Sequence, residues 1–233
     1  MLEIRKSADR GAANHGWLDS RHSFSFGQYR DPEHTHFGPL RVINDDHISP
    51  AQGFGTHGHS DMEILTFVID GALEHKDSMG TGSVLHYGDV QRMSAGTGVQ
   101  HSEFNHSKTD NLHLLQIWVI PNVSGIAPSY EEKHFAPDTK RNQLRLVASG
   151  DARQGSVLMH QDASIYAAIL EPGHSLEHTL APGRCAYVHL IHGTMVVNGT
   201  ALAGGDALKL SAESLLKLEQ GQDAEALVFD LPE

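Results

Sequence analysis

His57-Gly58-His59 places two imidazoles at i and i+2, and in a strand these share a face, roughly 6 to 7 Å apart at Cα. Further along, His101-Ser102-Glu103 repeats the spacing with an imidazole and a carboxylate. If the two segments occupy neighbouring strands, their side chains fall within a cross-strand reach of about 5 Å, and four ligating groups converge. Three nitrogens and one oxygen, without a thiolate, suit a divalent transition metal such as Fe, Mn, Ni, Cu or Zn. One or two coordination positions would stay open for water, substrate or dioxygen. A lone His-x-His is more often a surface pair. A second i,i+2 pair that includes Glu, with Gly53-Phe54-Gly55 before one and Gly96-Thr97-Gly98 before the other, favours the metal reading.

Glu63 has the strand parity of His57 and His59 if no bulge intervenes, so it is read as a fifth ligand or, preferably, as an acceptor for an imidazole N–H. His113, Gln116 and Trp118 lie in an alternating strand and are expected in the core or a pocket wall, with Gln116 facing a polar cavity. His15, His22, His34, His36, His47, His75, His86, His106 and His134 are expected to be solvated or locally hydrogen-bonded. There is no Gly-x-Ser-x-Gly elbow, P-loop or dinucleotide fingerprint, so acyl transfer and nucleotide chemistry have no positive signal.

The elements that would position these groups are short. Apolar runs such as Leu40-Arg41-Val42-Ile43, Ile64 to Ile69, Leu112 to Ile120, Ile165 to Leu170, Tyr187 to Ile191 and Ala226 to Phe229 alternate with Gly, Asp, Asn and Ser clusters, the pattern of many strands joined by hairpins. A mostly β chain is expected, with short helices near Ser129 to His134 and before the C-terminus. Pro121 to Asn142, with three prolines and mixed charge, reads as a linker. Ile69-Asp70-Gly71 and Gly88-Asp89 with Ser94-Ala95 recur, in the same order, as Ile191-His192-Gly193 and Gly205-Asp206 with Ser211-Ala212, which points to a duplicated β-unit.

The 233 residues, 39% hydrophobic with 23 glycines, describe a folded soluble chain long enough for one large β domain or two smaller ones. Seventeen Lys and Arg against 29 Asp and Glu leave a net charge of -12, which opposes direct nucleic-acid binding. No apolar run approaches a membrane span and residues 1–10 lack a signal-peptide core, so a cytoplasmic location without membrane association is expected. The single cysteine, Cys185, excludes an intrachain disulfide and a Cys-based zinc site. Eighteen histidines are the outlying number.

Taken together, His57-Gly58-His59 with Glu63 and Gly71, then Gly88 and Ser94-Ala95-Gly96-Thr97-Gly98-Val99-Gln100-His101-Ser102-Glu103, resemble the two cupin motifs in the form used by the pirin family. Arg10-Gly11, His15-Gly16-Trp17-Leu18-Asp19-Ser20, His22-Ser23-Phe24-Ser25-Phe26 and Leu40-Arg41-Val42-Ile43-Asn44-Asp45-Asp46 extend the likeness over residues 4–130. The resemblance implies an all-β bicupin, two tandem antiparallel β-barrels (double-stranded β-helices) with few short helices. Residues 1–130 would be an N-terminal cupin domain with the metal site, and 131–233 a C-terminal cupin-like domain without metal. The family's ligands fall on His57, His59, His101 and Glu103. One divalent metal per chain is expected, Fe(II) first, with Mn, Ni, Cu, Co and Zn as alternatives. Within the internal repeat the four ligands align with Thr179, Ala181, Leu218 and Gln220, none of which rebuilds the site, and His174, His178, His189 and His192 fall off that register.

The bacterial pirin-like proteins further imply a quercetin 2,3-dioxygenase: a flavonol's heterocycle is opened with O2 and CO is released, with Glu103 as the base that takes the 3-hydroxyl proton. The rival reading is a metal-containing binding or regulatory protein that senses redox state or ligand through a protein partner, and a weaker one is a cupin isomerase or another small-metabolite enzyme. Fold alone does not choose among them.

Overall fold

The computed structural model describes all residues, 1–233. It is almost entirely β, and its only helices are three-residue 3-10 turns at Ser7–Asp9, Pro137–Thr139 and Arg153–Gly155. No helix is long and apolar enough to cross a membrane. Two compact β units are present. Their sheets are open and jelly-roll-like rather than closed barrels.

The first compact unit comprises Gly11–His134 with Val157–Gln161, the second Met1–Arg10, Phe135–Ser156 and Asp162–Glu233. A single cut after residue 130 therefore differs from the observed division. Residues at the start of the chain join the second unit because Leu2–Arg5 pairs antiparallel with Ala207–Leu210 as an edge strand of its sheet.

In the first unit a seven-stranded sheet runs, in spatial order, Ser129–His134, Asp89–Ser94, Glu63–Asp70, Leu112–Val119, Leu40–Ile48, Leu18–His22 and Gly11–Asn14. A four-stranded sheet runs Gly53–His59, Val99–Asn105, Ala72–Asp77 and Gly82–His86. Leu18, Ile48, Val68, Leu73, Leu85, Leu112 and Leu114 form one core between them, and each such side chain contributes about 1.5–3 kcal/mol by leaving water.

Ser129–His134, expected as a helix inside a linker, is a strand paired residue for residue with Asp89–Ser94. Ladder partners outweigh local propensity there. The remainder of the supposed linker is also anchored, for Lys140 is fully buried and ion-pairs with Glu225. The C-terminal helix is absent as well: Leu215–Pro232 is one long strand that pairs with both Arg184–Val197 and Ser164–Leu170.

The second unit has a large apolar cluster in which Val188, Leu202, Leu208, Leu216 and Leu218 are all buried. Leu218 stands at the repeat position of His101, so this volume is packed rather than polar. The repeated glycines carry the duplication into three dimensions. Gly71 and Gly193 have φ of +84° and +77°, and a Cβ there would lie 2.7 Å from the Asn111 carbonyl oxygen and 2.0 Å from that of Asp223, respectively. Only glycine tolerates both the left-handed backbone and that approach.

Candidate metal centre

His57 and His59 sit on the Gly53–His59 strand, and His101 on the neighbouring Val99–Asn105 strand directly opposite His57. The ladder therefore delivers all three imidazoles to one spot. His57 Nε2 and His101 Nε2 are 3.0 Å apart, and the three ring centroids are separated by 4.4, 4.9 and 5.0 Å. Rings radiating from a common point, with nitrogens this close, fit an ion bound at about 2.0–2.1 Å. His57 Nδ1 donates to the Gly55 carbonyl at 2.8 Å, which sets Nε2 as the unprotonated nitrogen facing His101. The register against the Gly53–His59 strand shifts between His101, opposite His57, and Glu103, opposite Phe54, which marks a bulge beside the site.

Burial, reinforced by neighbouring His57, pushes His59 down to about 4. Burial and the imidazoles of His57, His59 and His75 push His101 to about 3. Both rings are thus neutral at physiological pH with lone pairs ready for a cation, and His101 Nδ1 is buried without a partner. The donor set fits a divalent transition metal.

Glu103 lines the same cavity, two residues beyond His101 on the same face. Thr66 Oγ1 donates to its Oε1 at 3.3 Å and Gln116 Nε2 to its Oε2 at 2.8 Å. Burial raises its pKa to about 7, against the lowering effect of these bonds, and the nearby Asp46 charge raises it further. Ligating atoms of His57, His59 and His101 lie within 4.8 Å of one another, as do those of His75, His101 and Glu103, so His101 belongs to both groups.

Glu63 is elsewhere. Asp61, with φ of +44°, turns the chain after His59, and Glu63 opens a strand of the other sheet, so parity with His57 and His59 is lost. Its Oε2 accepts from Ser94 Oγ at 2.9 Å and from the His160 backbone N–H at 3.1 Å. It ties the Val157–Gln161 segment to the sheet rather than supporting an imidazole of the centre.

Gln116 and Trp118 do border the cavity, whose volume is about 850 Å³, and Trp17, Phe26 and Phe54 supply more of its aromatic wall. His113 does not: it lies on the sheet's outer face with His47. Several residues of the site escaped the sequence reading. His75 is fully buried, with Nε2 3.2 Å from Asp77 Oδ2 and its ring stacked on Tyr130. His22 is buried and bonds Asn44 Oδ1 through Nδ1 at 2.8 Å. Asp46, also on the cavity, is raised by burial to about 7 and has a buried Oδ1 without a partner. The available signal was Asn44-Asp45-Asp46 inside an otherwise apolar strand, where polar side chains on a buried face require a reason.

Two jelly-roll units, the first with a histidine-rich centre open to a cavity and the second with a large apolar cluster, define a bicupin. The profile described as Pirin matches residues 3–119, and that described as the quercetinase C-terminal cupin domain matches residues 146–231. The chain belongs to the pirin family. It is 46% identical over 232 residues to a protein of Escherichia coli K12 named quercetin 2,3-dioxygenase, covering 100% of this chain and 99% of that one. A putative quercetin 2,3-dioxygenase of Pasteurella multocida is 43% identical over 235 residues, covering 99% and 100%. Among solved structures, the bacterial pirin YhhW of Escherichia coli in complex with nickel(II) superposes with a TM-score of 0.95 at 46% identity, covering 100% of this chain and 99% of that chain.

Proposed function

We propose that this chain is a metal-dependent dioxygenase that opens the heterocyclic ring of flavonols such as quercetin, incorporating both atoms of O2 and releasing CO. The observation that carries the reading is the pairing of three converging imidazoles with the buried, near-neutral carboxyl of Glu103 in one aromatic-walled cavity. The names borne by the Escherichia coli and Pasteurella multocida relatives support it. His57, His59 and His101, with Glu103 beside them, would hold one divalent ion, with Fe(II) and Ni(II) the first to test. Such an ion supplies Lewis acidity toward a substrate hydroxyl and a route for electron transfer to O2.

The remaining work falls to the protein. Trp17, Phe26, Phe54 and Trp118 accept a flat aromatic body and exclude water. Glu103, poised near neutrality, takes the hydroxyl proton on a carboxylate oxygen, while Thr66 and Gln116 hold it in place. Asp46 Oδ1, lacking a protein partner, is available to accept a hydrogen bond from a second hydroxyl.

The test is quercetin added to metal-loaded protein under oxygen, following flavonol absorbance and CO together. Bleaching with stoichiometric CO is expected. Absence of both with every divalent metal tried would overturn the dioxygenase reading and favour a regulatory role.

A further inference from the structure

The strand Leu40–Ile48 alternates faces, so Asn44 and Asp46 turn to the cavity while Asp45 and His47 turn outward. Directly across the ladder from His47 stands His113, on Leu112–Val119. His113 Nε2 and Asp45 Oδ1 are 2.7 Å apart, and the rings of His47 and His113 lie face to face with centroids 3.9 Å apart and planes inclined by 17°. One ligating atom from each of these three residues lies within 4.8 Å of the other two. We propose that Asp45, His47 and His113 form a second divalent-metal site, suited to Zn(II), Ni(II) or Cu(II), separate from the triad of the cavity.

Three features carry this assignment. Two imidazoles and one carboxylate are a sufficient donor set for these ions, leaving positions for water at the half-exposed edge. The ladder holds two donors on one strand and the third on the next, and the two imidazoles, stacked face to face at 3.9 Å, would turn edge-on to present one nitrogen each to a shared ion. The Asp45–His113 contact is already at bonding distance, and an ion would take the place of the proton between them.

The surrounding charge points the same way. Asp19 pairs with His47 in the adjoining strand and Asp70 with His113, while Arg21, 3.9 Å from Asp19, is the cation among them. Carboxylates therefore outnumber the positive charge around the cluster. An ion here would tie together the two strands whose opposite faces carry Asp46 and Gln116, linking an outer site to the rigidity of the cavity wall.

The site is tested independently of catalysis by counting zinc in tag-free, chelator-stripped protein after equilibrium dialysis. Two ions per chain are expected in the natural protein, one in His57→Ala/His101→Ala, one in His47→Ala/His113→Ala and none in the combined variant. His47 is exposed, so His47→Ala keeps the fold, and as loss of a direct donor it should weaken the second site by at least about 10- to 100-fold. A Cu(II) spectrum of His57→Ala/His101→Ala should report two coordinating nitrogens. Should either histidine pair compromise folding, the zinc titration of the natural protein against His47→Ala and Asp45→Asn decides alone. A single ion in the natural protein, a second ion indifferent to His47→Ala, or an ion retained by the combined variant would overturn the proposal.

Discussion

Gln116 Nε2 donates to Glu103 Oε2 at 2.8 Å, and Thr66 Oγ1 stands 3.3 Å from the opposing oxygen of each side chain, Glu103 Oε1 and Gln116 Oε1. The carboxyl proposed as base is therefore held by donors that favour its charged form while burial disfavours it. Removing a donor should tip the balance. Gln116→Leu is expected to push the Glu103 pKa higher, move the acid limb of the turnover profile to higher pH and lower turnover at neutral pH by about tenfold, the scale of one charge-assisted hydrogen bond. A pH profile that keeps its position would show that Glu103 is not the ionising group.

Glu103→Gln keeps the shape and the bond to Thr66 but removes the base. Turnover should drop by about 10²- to 10⁴-fold, the usual range for a lost general base, with the fold unchanged by circular dichroism. Bleaching of quercetin at the natural rate by this variant would remove Glu103 from the chemistry.

Ion affinity at the cavity should depend more on the imidazoles than on Glu103. In a His47→Ala/His113→Ala background, His59→Ala is expected to weaken nickel binding by at least about 10- to 100-fold, and Glu103→Gln by less. Calorimetric titration separates the cases, and equal losses would contradict the ranking.

The chelator-treated protein carries opposing titrations. His59 and His101 have folded values of about 4 and 3, below the free-imidazole value of 6.5, so the unfolded chain binds more protons between about pH 4 and 6.5 and acidification there weakens the fold. Asp46 and Glu103, raised from 3.8 and 4.5 to about 7, act in reverse: their contribution is full at low pH and is lost as pH rises toward about 7. Removing the carboxyls with Asp46→Asn/Glu103→Gln should leave the imidazole effect alone. Its melting temperature should then fall more steeply than that of the natural chain between about pH 6.5 and 4.5; parallel slopes would refute the pairing.

In the second unit, single substitutions of His174, His178 or His192 should leave turnover and the occupancy of the cavity site nearly unchanged. His174 bonds only a local carbonyl, and His178 and His192 are engaged with Asp230 and with Asp223 and Glu225. His189 is fully buried, so His189→Ala should lower the melting temperature while leaving turnover per folded molecule intact. A tenfold loss of activity in any stably folded member of this set would place the second unit in the chemistry.

The residue types already contained the β class, the duplication and the gathering of His57, His59 and His101, because i,i+2 spacing in a strand and turn glycines such as Gly71 and Gly193 act locally. Strand register was beyond local reach. The pairing of His101 with His57 rather than with a neighbour, the placement of Glu103 beside Thr66 and Gln116, and the arrival of His75 next to His101 depend on which strands meet and in what alignment. The same limit explains Glu63, whose parity was sound until the turn at Asp61 carried it into another sheet, and Ser129–His134, whose polar sequence reads as helix until Asp89–Ser94 supplies its hydrogen bonds. Burial belonged to the tertiary structure too. Only packing from several strands could raise Asp46 and Glu103 toward neutrality and keep His59 and His101 uncharged, since desolvation is a property of everything around a side chain and of nothing in its own stretch of sequence.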